Sequence, residues 1–160
     1  MTAQRPYRLT NECEALDFSG LHLYRVLAHV PDSESGWDMR QSYRTLATPS
    51  PDTKIRCSAL WSGYIPVYRV DAQARFWLVE FIYPLEKERP PESVNEPIQG
   101  DAWLFFCERF GGPAVHVPVK DGVVRGREEW MFQLDRERFV VGSELEAGAW
   151  PPSSNGRRYF

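Results

Sequence analysis

From Ile55 to Val141 the chain alternates short runs of aromatic and β-branched residues with turn signals, and this alternation constrains the fold most. Aromatic and β-branched side chains favour strands, whereas the thirteen prolines and eleven glycines mark the turns between them. Short strands that follow one another through tight turns pair antiparallel. We therefore predict a mainly β fold, with α+β as the alternative, built as an antiparallel meander of about six to eight strands. Such a meander forms a curled sheet, a sandwich or a partial barrel, accompanied by one or two short helices.

The dipeptide Asp121-Gly122 carries the sharpest local prediction. Extended residues flank it, with Val115–Lys120 on one side and Val123 on the other. A type I′ turn needs positive φ at both central residues, and Asp-Gly meets that need. The sequence therefore predicts a two-residue hairpin turn at this position.

Two of the predicted strands are apolar on both faces, which is typical of central strands covered on both sides. Since successive side chains point to opposite faces, Arg75–Tyr83 divides into two sets. These sets are Phe76, Leu78 and Ile82 on one face, and Trp77, Val79, Phe81 and Tyr83 on the other. Asp101–Arg109 repeats this pattern. Pro66 cannot donate to a ladder, so Tyr64–Val70 is predicted to be an edge strand or to carry a bulge.

Earlier in the chain the pattern is weaker. Leu21–Val30 forms the first strong apolar segment, and Trp37–Ala47 is interpreted as a short helix ending before Pro49.

A length of 160 residues fits one domain, which we place at residues 1–150, followed by a tail at residues 151–160.

The cysteines and the absence of long apolar runs bear on the compartment. Cys13, Cys57 and Cys107 are far apart and odd in number, so we predict free thiols, as in a reducing cytoplasm. The first residues lack an apolar leader, and no stretch reaches the ~18 apolar residues of a membrane helix. These features predict a cytoplasmic protein without a membrane partner.

Motifs for cofactor or catalytic chemistry are absent from the sequence. It contains no GxxxxGK[ST], GxGxxG, GxSxG or HExxH, and a formal net charge of −3 argues against nucleic acid as a partner. His22 and His29 are seven residues apart and point to opposite faces of one strand, while His116 is distant in sequence. We predict neither a cofactor nor a metal site.

Three features remain as candidate sites. Glu80 lies between apolar neighbours on a predicted central strand, with Arg69 on the preceding strand as a cross-strand partner, and buried carboxylates cluster at functional sites. Trp61 and Tyr64 flank a turn beside a predicted edge strand that also carries Tyr68, and exposed rings there could stack on a ligand or anchor a protein.

The third feature is the segment Pro84–Gly100, interpreted as a long acidic loop. It holds four prolines, and its four acids outnumber Lys87 and Arg89: Glu86, Glu88, Glu92 and Glu96. Long loops inside compact domains are usually functional or disordered. This loop is our predicted binding surface for a protein partner.

Three classes of function follow from these features. The preferred hypothesis is a non-enzymatic binding protein, such as a cytosolic partner-neutralising protein of the toxin-immunity type, with a homodimer left open. The alternative is a small-ligand or carbohydrate-binding β-domain that uses Trp61 and Tyr64. A further alternative is an enzyme that uses Glu80 and a histidine.

Overall fold

The computed structural model describes residues 6–29, 43–45, 63–108 and 112–145 of the chain. These residues form eleven strands and two short 3-10 turns. The strands are β1 (Arg8–Asn11), β2 (Leu21–His29), β3 (Tyr43–Thr45), β4 (Ile65–Val70), β5 (Phe76–Ile82), β6 (Glu92–Pro97), β7 (Ala102–Glu108), β8 (Ala114–Lys120), β9 (Val123–Val124), β10 (Met131–Gln133) and β11 (Phe139–Val141). The 3-10 turns are Arg127–Glu129 and Gly142–Glu144.

The strands build two sheets that are not closed into a barrel. The smaller sheet has the order β1-β4-β5-β6, and the larger has the order β11-β10-β8-β7-β2-β3 with β9 beside β8. Neighbouring strands run antiparallel except β1, which pairs parallel with β4. The predicted mainly β, antiparallel architecture is confirmed, and the meander moves from the smaller sheet to the larger between β6 and β7.

The Asp121-Gly122 turn is a two-residue hairpin, as predicted. Lys120 pairs with Val123, and the φ values are 51° at Asp121 and 79° at Gly122, as a type I′ turn requires. The turn also joins the two sheets, because the carbonyl of Gly122 accepts a hydrogen bond of 3.0 Å from the backbone N–H of Phe76 on β5. The local Asp-Gly signal therefore marks a position where the two sheets are hydrogen-bonded to each other.

The inner faces of both sheets form one hydrophobic core. Phe18 stacks between Phe106 and Trp130, with ring centroids 5.1 Å and 5.2 Å apart. The largest fully buried side chains are Tyr68, Phe76, Phe81, Phe106, Phe132, Leu23, Leu104, Val26, Val70, Val115, Val117 and Val119. Full burial of a Val, Leu or Phe side chain contributes about 1.5–3 kcal/mol, so this core is the main source of stability.

The predicted division of β5 into two faces is wrong, because a bulge interrupts the strand. Val67 and Tyr68 are consecutive on β4, yet their partners on β5 are Glu80 and Leu78, which makes Val79 an extra residue. An extra residue reverses the alternation of side chains beyond it. The buried side chains of β5 and its extension are therefore Phe76, Leu78, Phe81 and Tyr83, whereas Trp77, Val79 and Ile82 are half-buried.

The edge position predicted from Pro66 is also wrong. The strand β4 lies between β1 and β5, and the β1 pairing begins at Val67, so the proline sits just beyond the part of β4 that β1 covers. A missing backbone donor at residue 66 is therefore compatible with an internal strand. The sequence prediction also allowed a bulge in this strand instead of an edge position. A bulge is present in the β4–β5 pairing at Val67 and Tyr68, but its extra residue, Val79, belongs to β5.

Three other predictions from the sequence can be compared with the structure over only some of their residues. Residues 43–45 of the predicted helix Trp37–Ala47 form β3, which pairs with β2, because strand pairing overrides a weak helical pattern. The rest of that segment, residues 55–61 at the start of the predicted meander, and the tail at residues 151–160 lie outside the described residues. Cys13 and Cys107 are free thiols as predicted, and Cys57 lies outside the described part.

Candidate functional site

The acidic segment is organised rather than a continuous loop. Residues 84–91 make two successive turns, and the residues after them form β6, the edge strand of the smaller sheet. The predicted long loop Pro84–Gly100 is therefore wrong over Glu92–Pro97. Its composition is poor in strand formers, and the pairing with β5 decides its conformation instead.

Side-chain contacts hold the first part of this segment, which we call the acidic turn (residues 84–91). The guanidinium of Arg89 lies 3.7 Å from the ring centroid of Tyr83 and forms a 3.1 Å ion pair with Glu86. The hydroxyl of Tyr83 donates a 3.1 Å hydrogen bond to the carboxylate of Glu92 at the start of β6. Burial and this bond to a carboxylate raise the pKa of Tyr83. The turn is thus fixed to a core aromatic residue at its base.

The four predicted acidic residues divide into two pairs by environment. Glu86 and Glu92 are half-buried and bonded within the chain, whereas Glu88 and Glu96 are exposed. Glu80 lies opposite Ser93 in the register and adds a fifth carboxylate beside the same edge. Counted over residues 80–97, these five acids stand against Lys87 and Arg89, a local charge of −3 that equals the formal net charge of the whole chain.

The edge strand itself is poorly suited to accept another strand. Its pairing with β5 is irregular between Leu78 and Glu80, and Asn95 has a positive φ of 49°. Pro97 ends the strand, and two prolines precede it. Bulges, prolines and charges are the usual devices that keep a sheet edge from pairing. A partner would therefore contact side chains of this region rather than extend the sheet.

The surface beside the acidic turn is an open depression of about 550 Å³. The depression is lined by the consecutive residues Leu85, Glu86, Lys87, Glu88 and Arg89. It is therefore formed by the surface of the turn alone. Sites for small molecules usually bury most of the ligand surface. A small molecule in such an open depression would keep much of its surface in water.

Two of the three residues of the predicted aromatic platform, Tyr64 and Tyr68, lie within the part of the chain that the structure describes. Tyr68 is 2% exposed and stacks on Phe76 at 5.0 Å, and burial raises its pKa strongly. Tyr64 is half-buried and meets the ring of Phe81 edge to face at 5.4 Å. Trp61 lies outside the described residues. Tyr68 therefore belongs to the core and is removed from the candidate binding surface.

The predicted pair of Glu80 with Arg69 does not form. The register places Glu80 opposite Val67, and Arg69 lies opposite Trp77, with its guanidinium 5.0 Å from the Trp77 ring centroid. Arg69 donates instead to Glu12 at 3.3 Å. Glu80 is therefore displaced by two residues along the strand from the position opposite Arg69, and the Arg69 guanidinium contacts Glu12 and the Trp77 ring.

His22 and His116 do not approach Glu80 either. His22 and His116 lie on the outer face of the larger sheet, opposite the buried residues Leu23 and Val115, whereas Glu80 lies on the outer face of the smaller sheet. The two outer faces point away from a shared core. No group of three or more metal-ligating side chains occurs among the residues that the structure describes. The side chain of His29 lies outside the description.

A row of rings crosses the outer face of the larger sheet, and we call it the outer aromatic row (Tyr24, Phe105, His116 and Phe139). Successive ring centroids are 6.4 Å, 4.4 Å and 4.9 Å apart. Tyr24 is 42% exposed and the other three are half-buried. The sequence indicated this face only through the double apolar pattern of Asp101–Arg109, and the row itself joins residues from four distant strands or strand ends.

Comparison with protein-family models, with curated protein sequences and with solved structures finds no match for this chain. Among the described residues, no helix is long and apolar enough to cross a membrane.

Proposed function

We propose that this chain is a non-enzymatic binding protein that recognises the basic surface of another protein through the acidic turn and β6, as a partner-neutralising protein of the toxin-immunity type would. The observation that carries the proposal is the locked acidic turn, in which Arg89, Tyr83 and Glu86 hold the backbone while Glu88 and Glu96 remain exposed.

Rigidity supports this proposal on energetic grounds. Binding costs free energy when a loop must become ordered, and a preorganised loop avoids much of that cost. Here the Arg89–Glu86 ion pair, the Arg89–Tyr83 cation–π contact and the hydrogen bond from Tyr83 to Glu92 hold the turn, and the partly buried carboxylates of Glu86 and Glu92 are used in these contacts. The exposed pair is left for a partner, and charges of this kind accelerate association and select against partners of like charge.

Charge reversal at the exposed pair tests the proposal. The partner would be captured from a lysate of the native host, identified by mass spectrometry and produced in pure form. Glu88→Lys/Glu96→Lys is expected to lower the association rate about 10-fold at low ionic strength, with a smaller effect as salt is raised. Because both side chains are exposed, the free energy of unfolding should change little.

The matched control is Glu14→Lys/Glu144→Lys, which has the same net charge but reverses exposed acids elsewhere on the surface. It is expected to bind nearly as well as the wild type. Equal association rates for the two double variants at low salt would overturn the proposal, because the effect would then depend on total charge and not on the acidic turn.

A conservative variant separates rigidity from charge. Arg89→Lys keeps the positive charge but loses the planar group that lies over Tyr83, and lysine is a poor replacement at a stacked site. The association rate should stay close to that of the wild type, whereas dissociation should become faster because the turn is less ordered in the free protein. An unchanged dissociation rate would show that the turn does not need this contact for recognition.

A further inference from the structure

Two contacts between the same pair of residues close the second half of the acidic turn. The backbone N–H of Arg89 donates a 3.0 Å hydrogen bond to the carbonyl oxygen of Glu86, and the side chains of these residues form the 3.1 Å ion pair. They enclose a β-turn whose two central residues, Lys87 and Glu88, we call the tip. Because Arg89 also lies over the buried Tyr83 ring, the base of this β-turn is attached to the core. The backbone of the tip is therefore held in place before any partner binds.

The tip carries opposite charges on adjacent residues. Both side chains are exposed, and neither Lys87 nor Glu88 takes part in an ion pair with another of the residues that the structure describes. The acid that precedes Lys87 in the chain, Glu86, is paired with Arg89 instead. The tip thus presents one positive and one negative group in a fixed order, within a region that is acidic overall.

The positive charge of Lys87 discriminates between two kinds of basic surface. A surface that is basic throughout is attracted to the acidic region as a whole, but it meets Lys87 with repulsion at contact distance. A surface with an acidic residue opposite Lys87 and a basic residue opposite Glu88 gains attraction at both positions. Repulsive groups of this kind commonly supply specificity, because like charges that face each other across an interface weaken the wrong complex.

We propose that the tip selects among basic partners and recognises a protein surface that places an acidic side chain opposite Lys87 and an arginine or lysine opposite Glu88. This inference rests on the function proposed above and adds the order of charges on the partner. The summed charge of the acidic region sets how fast the partner arrives, since attraction at a distance depends on the total field. The tip sets how long the partner stays, because the order of two adjacent charges matters only at short range.

A charge swap tests the inference at constant composition. Lys87→Glu/Glu88→Lys has the same net charge as the wild type and reverses only the order at the tip. Central positions of the commonest β-turns accept most residues, and both side chains are exposed, so the free energy of unfolding should change little. With the purified partner at low ionic strength, the association rate should stay close to the wild-type value. Dissociation should become about 10-fold faster, because both contacts become repulsive.

The single variant Lys87→Glu separates the inference from a simple effect of charge. It replaces a positive charge by a negative one, so a uniformly basic partner would associate faster and dissociate more slowly. The inference predicts faster association together with faster dissociation, because the acidic side chain of the partner then faces a carboxylate. Poly-L-lysine serves as a uniformly basic probe, and it should bind Lys87→Glu more tightly than the wild type.

Three results would rule the inference out: a swap variant that dissociates at the wild-type rate, a Lys87→Glu variant that dissociates from the partner more slowly than the wild type, or equal binding of poly-L-lysine by Lys87→Glu and the wild type. The partner would then respond to total charge alone. The function proposed above fails on a different measurement, namely equal association rates for Glu88→Lys/Glu96→Lys and its control Glu14→Lys/Glu144→Lys. The two failures are therefore distinguishable.

Discussion

The neighbouring residues Phe105 and Phe106 offer the most direct test of how the larger sheet is built. The sequence pattern predicts that both rings are buried, whereas the structure buries only Phe106, which is 0% exposed and stacks on Phe18. Phe105 points to the outer face, where its ring lies edge-on to His116 at 4.4 Å. The same chemical truncation at adjacent positions should therefore have very different costs.

The expected magnitudes follow from these environments. Phe106→Ala removes a fully buried ring and leaves a cavity, so it should lower the free energy of unfolding by about 3–5 kcal/mol. Phe105→Ala removes a ring that is already partly in water, and about half of a full burial term gives a loss of about 1–2 kcal/mol. The difference between the two variants is thus expected to be about 2–3 kcal/mol.

Urea unfolding followed by circular dichroism would measure both values. The slope of the free energy against urea should be the same for the wild type and both variants if each unfolds in one cooperative step. A cost at Phe105 equal to that at Phe106, or a cost at Phe106 below about 1 kcal/mol, would refute the assignment of faces.

Three further predictions concern the turn, a histidine and the thiols. An alanine in the left-handed backbone conformation costs ~1–2 kcal/mol. Gly122→Ala should destabilise the protein by more than this, because its Cβ would also meet the carbonyl oxygen of Ile98. Gly20→Ala, where φ is similar and the surrounding space is open, is the control in the same urea assay. Burial lowers the pKa of His116 from 6.5, so the unfolded state binds this proton more tightly, and the free energy of unfolding should fall as pH drops below about 6.5 toward the folded-state pKa. His116→Gln should remove this slope, and equal slopes in variant and wild type would contradict the linkage. Burial raises the pKa of Cys107, so its thiol should react slowly with a disulfide reagent in the folded protein, and denaturation without reductant should expose three reactive thiols in all.

Local sequence signals predicted the features that depend only on neighbouring residues. The Asp121-Gly122 turn is the clearest example, because positive φ at two successive positions is a property of those two residues. The mainly β class followed in the same way from aromatic and β-branched runs between turn residues. The acidic residues of the candidate site were also visible in the sequence, although not which of them are bonded within the chain.

The errors share one physical cause, which is that strand pairing is decided by distant residues. One extra residue at Val79 reversed the faces of β5 beyond it, and this moved Phe81 and Tyr83 into the core. No local sequence pattern predicts a bulge of this kind, because a residue is extra only relative to the pairing of its neighbours with the adjacent strand.

The sequence by itself determined the secondary-structure class, the hairpin turn and the chemical character of the acidic segment, because each of these depends on residues close together in the chain. Only the tertiary structure decided that Glu92–Pro97 pairs as an edge strand, that Tyr68 is buried, and that Glu88 and Glu96 remain exposed beside a locked turn. It also decided which rings form the outer aromatic row, since that row exists only where four separate parts of the chain meet on one sheet face. Register, bulges and sheet order place such side chains, and these depend on long-range pairing energies that no single segment contains.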